Sequence, residues 1–105
     1  MTKVLYEPGK YRLKLEGHAG ATENGVDTIC AGASALAWAL VEAATNNPDY
    51  NATYDIDPDE ALIDVQCEPT EAAADSCFYM FEVVLGGLML IAEAYPEFME
   101  IRIGG

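Results

Sequence analysis

Positive charge is what this sequence has least of. Five lysines and arginines face eighteen aspartates and glutamates, a formal net charge of −13 over 105 residues. A nucleic-acid-binding surface needs a basic footprint to neutralise phosphates, and an anionic membrane surface would repel this chain, so neither partner is expected. Histidine occurs once and cysteine three times. Three cysteines cannot close a disulfide framework, and Cys67 and Cys77, ten residues apart with no histidine nearby, do not suit zinc. No metal or cofactor is expected. Met1 is followed by polar residues rather than a signal-like apolar stretch, and the longest apolar run, 78–92, is interrupted by Glu82 and shorter than a membrane span. These absences point to a reduced, cytoplasmic, soluble protein.

Apolar residues make up 51% of the chain, which separates it from charged disordered sequences, and its length fits one domain over residues 1–105. The charge is unevenly spread. Residues 1–40 hold Lys3, Lys10, Arg12 and Lys14 against Glu7, Glu16, Glu23 and Asp27, a balance of zero. Residues 41–105 hold fourteen acids and Arg102 alone, so they carry the whole −13. Such a surface suits solubility or a basic partner.

The hydrophobic pattern predicts the order β-β-α-β-β-α-β. Tyr11, Leu13 and Leu15 alternate with Arg12, Lys14 and Glu16 as in a half-buried strand, and Pro8-Gly9 turns it back on a strand at 3–6. An Ala-rich helix follows over 28–45, with Asp27 before it and Asn46-Asn47-Pro48 after it, and a core stripe of Ile29, Ala33, Leu36 and Leu40. A second hairpin pairs 52–56 with 62–67. A long apolar helix then opens at Pro69-Thr70 or at Asp75 and reaches Tyr95, with Phe78, Phe81, Leu85, Leu88 and Ala92 in register. Gly86-Gly87 inside it implies close packing on the first helix or a bend. Residues 98–103 form a last strand. The fold class that buries these stripes together is α+β, a two-layer sandwich with a mixed or antiparallel sheet and both helices on one face.

Chemistry concentrates between the first hairpin and the first helix. His18 sits in the glycine-rich loop after the hairpin, and Cys30 falls in the first turn of the helix if Asp27 caps it. A helix N-terminus stabilises a thiolate, its free amides can serve an oxyanion, and a facing histidine can take the thiol proton and return it to a leaving amine. The plain alternative is a small buried Cys30 and a solvated His18.

The wording of the segment favours the first reading. Gly17-His18-Ala19-Gly20, then Gly25-Val26-Asp27-Thr28-Ile29-Cys30-Ala31-Gly32-Ala33-Ser34-Ala35-Leu36, resembles the ribosomal-processing cysteine protease family (Prp). That family's pattern runs Gly-His-Ala-Gly, a short loop, then Gly-x-Asp-Ile-Val-Cys-Ala-Ala-Val-Ser-Ala-Leu. Chain length, the paired glycines of the second helix and Tyr95-Pro96 are also similar. The resemblance implies a homodimeric cysteine endopeptidase that removes the N-terminal extension of a basic large-subunit ribosomal protein after an aromatic pair. It makes Cys30 the nucleophile, His18 the general base and acid, and 19–26, with Ala19, Gly20 and Gly25, a mobile loop over the site. The sequence departs at Thr28, Ile29, Gly32 and Ala33; the last two trim volume beside the nucleophile and bear on substrate preference.

Asp27 is either the helix cap or a third member that orients the imidazole of His18. Ser34, one turn beyond Cys30, either assists near the thiol or substrate or is a small helix–sheet contact. Trp38 is expected in the core or at a dimer contact. Asp55, Asp57 and Asp59 lack the Gly and Glu of a calcium loop and read as a solvated acidic turn. Two other functions fit parts of the pattern: a phage capsid or scaffold-processing protease of the same family, and a non-catalytic acidic adaptor for a basic ribosomal protein.

Overall fold

The computed structural model describes the backbone of residues 1–17 and 25–105, with the side chains of 1–17 and 31–105. Strands β1 (Thr2–Glu7) and β2 (Arg12–Glu16) form the first hairpin, followed by helix α1 (Gly25–Asn46), the second hairpin of β3 (Thr53–Asp57) and β4 (Leu62–Gln66), helix α2 (Ala74–Ala94) and β5 (Met99–Ile103). The five strands make one sheet in the order β3-β4-β2-β1-β5, antiparallel except where β5 runs parallel to β1.

These pairings make each helix a crossover. α1 joins β2 to the parallel β3, and α2 joins β4 to the parallel β5. The two crossovers step in opposite lateral directions from strands of opposite polarity. A shared right-handed sense therefore lays both helices on the same face, the two-layer arrangement the apolar stripes require.

The core follows from strand alternation. Ile56, Ile63, Leu15, Val4 and Ile101 pair in sequence across all five strands, and Tyr54, Val65, Leu13, Tyr6 and Ile103 form the next row. Inner members such as Leu13, Val65, Val4 and Tyr6 are buried, whereas Tyr54 and Ile103, on the edge strands, stay exposed. Ala33, Ala37, Leu40, Val41 and Ala44 of α1 complete the core with Cys77, Phe81, Val84, Leu85 and Leu88 of α2.

The helices run antiparallel through small residues. A Cβ on Gly87 would lie 2.9 Å from Leu36 Cδ1, and one on Gly32 would lie 3.4 Å from Ile91 Cδ1. Gly87 thus serves the close approach expected of the glycine pair; Gly86 faces open space.

Several boundaries move. The last helix has both of its expected starts, since a 3₁₀ turn at Glu71–Ala73 leads into the α-helix at Ala74. Together they form 24 helical residues, long and apolar enough to span a bilayer by length and composition, although one row of that helix packs into the core. The first helix starts at Gly25, three residues before its expected first residue.

Candidate active site

Strand β2 delivers the chain to the proposed chemistry and Gly17 fixes where it leaves. Gly17 has φ +87°, a left-handed conformation suited to glycine, and a Cβ there would lie 2.7 Å from the Met1 carbonyl oxygen. The Thr2 hydroxyl donates to the Gly17 carbonyl at 3.1 Å and holds this exit against β1. The next residue, His18, with Ala19 and Gly20 of the expected loop, lies outside the described residues.

The chain re-enters the structure as helix. Gly25, expected in the loop, is the first residue of α1, and Asp27 is its third rather than the residue ahead of it. That corrects the cap position. It also places Cys30 at the sixth residue of the described helix rather than in its first turn. The side chains of Asp27 and Cys30 are outside the described part of the helix.

Beside this junction lies a cavity of about 310 Å³. Gly17 and Leu15 border it from the sheet, Ala33, Ser34 and Trp38 from α1, and the β3–β4 hairpin closes it through Ile56, Pro58 and Ala61. In helical register, Ala33 and Ser34 follow position 30 by three and four residues and flank its line along the helix. The cavity therefore joins the strand end preceding His18 to the helix face one turn beyond Cys30. Ser34 is exposed at its wall, not packed between helix and sheet. Trp38, expected in the core or at a dimer contact, is 51% exposed and lines the same cavity.

The other two cysteines belong to the core. Cys67 and Cys77 are buried free thiols. Burial pushes the Cys67 thiol up to about 12 and raises that of Cys77 as well, so both stay protonated and unreactive near neutrality. The acidic hairpin tip is a turn former: Asp57 Oδ1 accepts from the amides of Asp59 at 3.0 Å and Glu60 at 3.4 Å. Among the described residues no group of three or more His, Cys, Asp or Glu side chains could hold a metal ion.

Comparison with known proteins gives the arrangement a context. A family model for the cysteine protease Prp matches residues 1–100. No curated protein is significantly similar to the chain. Among solved structures, the essential ribosomal processing protease Prp from S. aureus, in complex with a covalently linked product peptide, superposes with a TM-score of 0.83 at 24% identity, covering 99% of this chain and 100% of that one. The S. aureus protease with a substrate peptide gives a TM-score of 0.81 at 23% identity, with the same coverage. SMU.848 from Streptococcus mutans gives 0.74 at 27% identity, covering 97% of this chain and 90% of that one.

Proposed function

We propose that this chain, which belongs to the cysteine protease Prp family, trims the N-terminal extension from a basic large-subunit ribosomal protein through Cys30 and His18. In this reading His18 takes the thiol proton, the Cys30 sulfur attacks the scissile carbonyl, and the leaving amine takes the proton back as the peptide bond breaks. Water then hydrolyses the thioester, with the histidine again as base. Asp27 orients the imidazole, and Ser34 meets the substrate. The observation that carries the reading is the cavity bounded by Gly17, next to His18, and by Ala33 and Ser34, one turn beyond Cys30. Peptide-bound structures of the S. aureus protease support a peptide substrate here.

Charge supports a basic precursor as partner. Neither helix contains a lysine or arginine, so the helical layer offers only acids to an incoming substrate. The enzyme would act in the cytoplasm as one domain per subunit and as a homodimer. The exposed row Tyr79, Val83 and Leu90 on α2, with open space at Gly86 within it, supplies the apolar surface for a second copy.

The test is cleavage of a purified ribosomal protein precursor carrying its extension. Cys30→Ala and His18→Ala should each abolish cleavage, and iodoacetamide should label Cys30 in the folded protein while sparing Cys67 and Cys77. Undiminished cleavage by the Cys30 variant would overturn the assignment. Salt-sensitive capture of the precursor without turnover would instead identify an adaptor.

A further inference from the structure

Among the described residues, every buried position holds an apolar, aromatic or cysteine side chain except Thr2, which is 4% exposed. Thr2, Val4 and Tyr6 alternate toward the core along β1, so valine would suit the same place by shape and apolarity. A hydroxyl there loses its water and needs a partner in exchange. That partner is the Gly17 carbonyl, at 3.1 Å. The main chain does not supply this bond. The β1–β2 register ends at Lys3 with Glu16, and one step further the Thr2 amide turns to the other side, donating to the Phe98 carbonyl at 2.9 Å. The side chain thus continues a ladder that the backbone has left.

What it holds is the last residue before the proposed base. Glycine has the widest backbone freedom, and Gly17, at φ +87°, uses a conformation that few other residues adopt. Its carbonyl belongs to the peptide unit that joins it to His18. That unit is planar, so a held oxygen fixes the plane in which the chain sets out toward position 18. The Met1 carbonyl oxygen lies 2.7 Å from where a Cβ of Gly17 would stand, so the backbone is confined on that side as well. Thr2 and Gly17 both border the cavity at this junction. Resting on the protease reading above, we propose that Thr2 is a positioning residue for the reaction: its hydroxyl, through the Gly17 carbonyl, sets the start of the segment that carries the general base His18. A misplacement of about 1 Å at a reacting group can cost on the order of a hundredfold in rate, which makes such an anchor worth a buried hydroxyl. The contribution of Thr2 passes through His18 and vanishes where His18 is absent.

The experiment is a double-mutant cycle between Thr2 and His18, read by the rate at which iodoacetamide alkylates Cys30 near neutral pH. The thiolate is the reacting form, and a paired base favours it. His18→Ala should slow alkylation about tenfold or more, and Thr2→Val about threefold or more. In the His18→Ala background Thr2→Val should bring no further slowing, whereas a side chain that only supported the fold would slow both backgrounds alike. Thr2→Ser keeps the hydroxyl and should restore most of the wild-type rate. Thr2→Ala lacks it without adding a methyl group and should match Thr2→Val. With the ribosomal precursor as substrate, Thr2→Val should lower kcat about tenfold and leave KM within about twofold. Equal slowing in both backgrounds, or an unslowed Thr2→Val, would overturn the positioning role while leaving the pairing of Cys30 with His18 in place. Alkylation indifferent to His18→Ala would overturn that pairing itself, and the positioning role with it.

Discussion

The hydroxyl of Tyr6 donates to Glu82 Oε2 at 2.6 Å, joining strand β1 to the middle of helix α2. The Tyr6 ring is buried and stacks on Phe81, with centroids 6.4 Å apart. One side chain thus satisfies its only polar group and contributes to the core, while helix α2 keeps an acid on an otherwise apolar turn.

Tyr6→Phe should therefore destabilise the fold while leaving its packing intact. A hydrogen bond to a charged group contributes about 1.5–3 kcal/mol, and Glu82 is half-buried, which favours the lower end. Thermal unfolding should show a midpoint lowered by roughly 6–10 °C for a chain of this size. An unchanged midpoint would mean that the bond contributes nothing beyond what water supplies.

Alkaline pH should act in the same direction. Burial, then the bond and charge of Glu82, raise the Tyr6 phenol above its ordinary range, and burial raises Cys67 to about 12 and Cys77 in the same sense. The folded chain holds these protons more tightly than the unfolded chain. Their contribution is fully present below the unfolded thiol value near 9 and is lost as pH rises toward 12. Urea midpoints should be level around neutrality and fall above about pH 9, less steeply in Cys67→Ala. A midpoint that climbs between pH 9 and 10.5 would contradict the burial of these groups.

What the sequence made legible depended on contrast between faces. Strand β2 alternates apolar and charged residues, so its buried side was plain from Leu13 and Leu15. Helix α2 is apolar almost all round, and its expected stripe included Phe78 and Ala92, which are only half-buried; the buried row instead takes in Cys77 and Val84. Periodicity cannot choose a face when both sides are hydrophobic. The parallel pairing of β5 with β1 was equally hidden, because register between distant strands leaves no local trace. At the site, His18 and Cys30 stood out by residue type and wording, while Trp38 and Ile56 did not, since an apolar residue on a cavity wall has the same pattern as one in the core.

The two adjacent glycines of α2 should respond oppositely to alanine. Nothing lies within 4 Å of a Cβ at Gly86, so Gly86→Ala should recover helix propensity and stabilise the dilute protein by about 0.5–1 kcal/mol. At Gly87 the new methyl would stand 2.9 Å and 3.0 Å from the Leu36 Cδ atoms, forcing that side chain to move. Gly87→Ala should gain less or lose stability, and a double-mutant cycle with Leu36→Ala should show a coupling that relieves the clash. Equal effects at both positions would remove the reason for contact between the helices there.

On the open face of the sheet, Arg12 binds Asp64 with two nitrogens, Nε at 3.0 Å and Nη2 at 2.8 Å, and gives Nη1 to Glu7 at 3.0 Å. Asp64 pairs directly with Asp55 on the edge strand, an opposition of like charges that disfavours the β3–β4 contact unless a cation offsets it. Arg12→Leu keeps an apolar stem but removes that cation, and should cost about 1 kcal/mol in dilute buffer. The cost should shrink in 1 M salt, where screening shortens from about 10 Å to about 3 Å. Arg12→Lys should fall between the two, because a single ammonium cannot reproduce the paired bonds to Asp64. A cost that ignores salt would locate the role of Arg12 in the packing of its stem across β2. A cost that vanishes with salt would locate it in holding the acidic hairpin, and with it the Ile56 wall of the cavity, against the rest of the sheet.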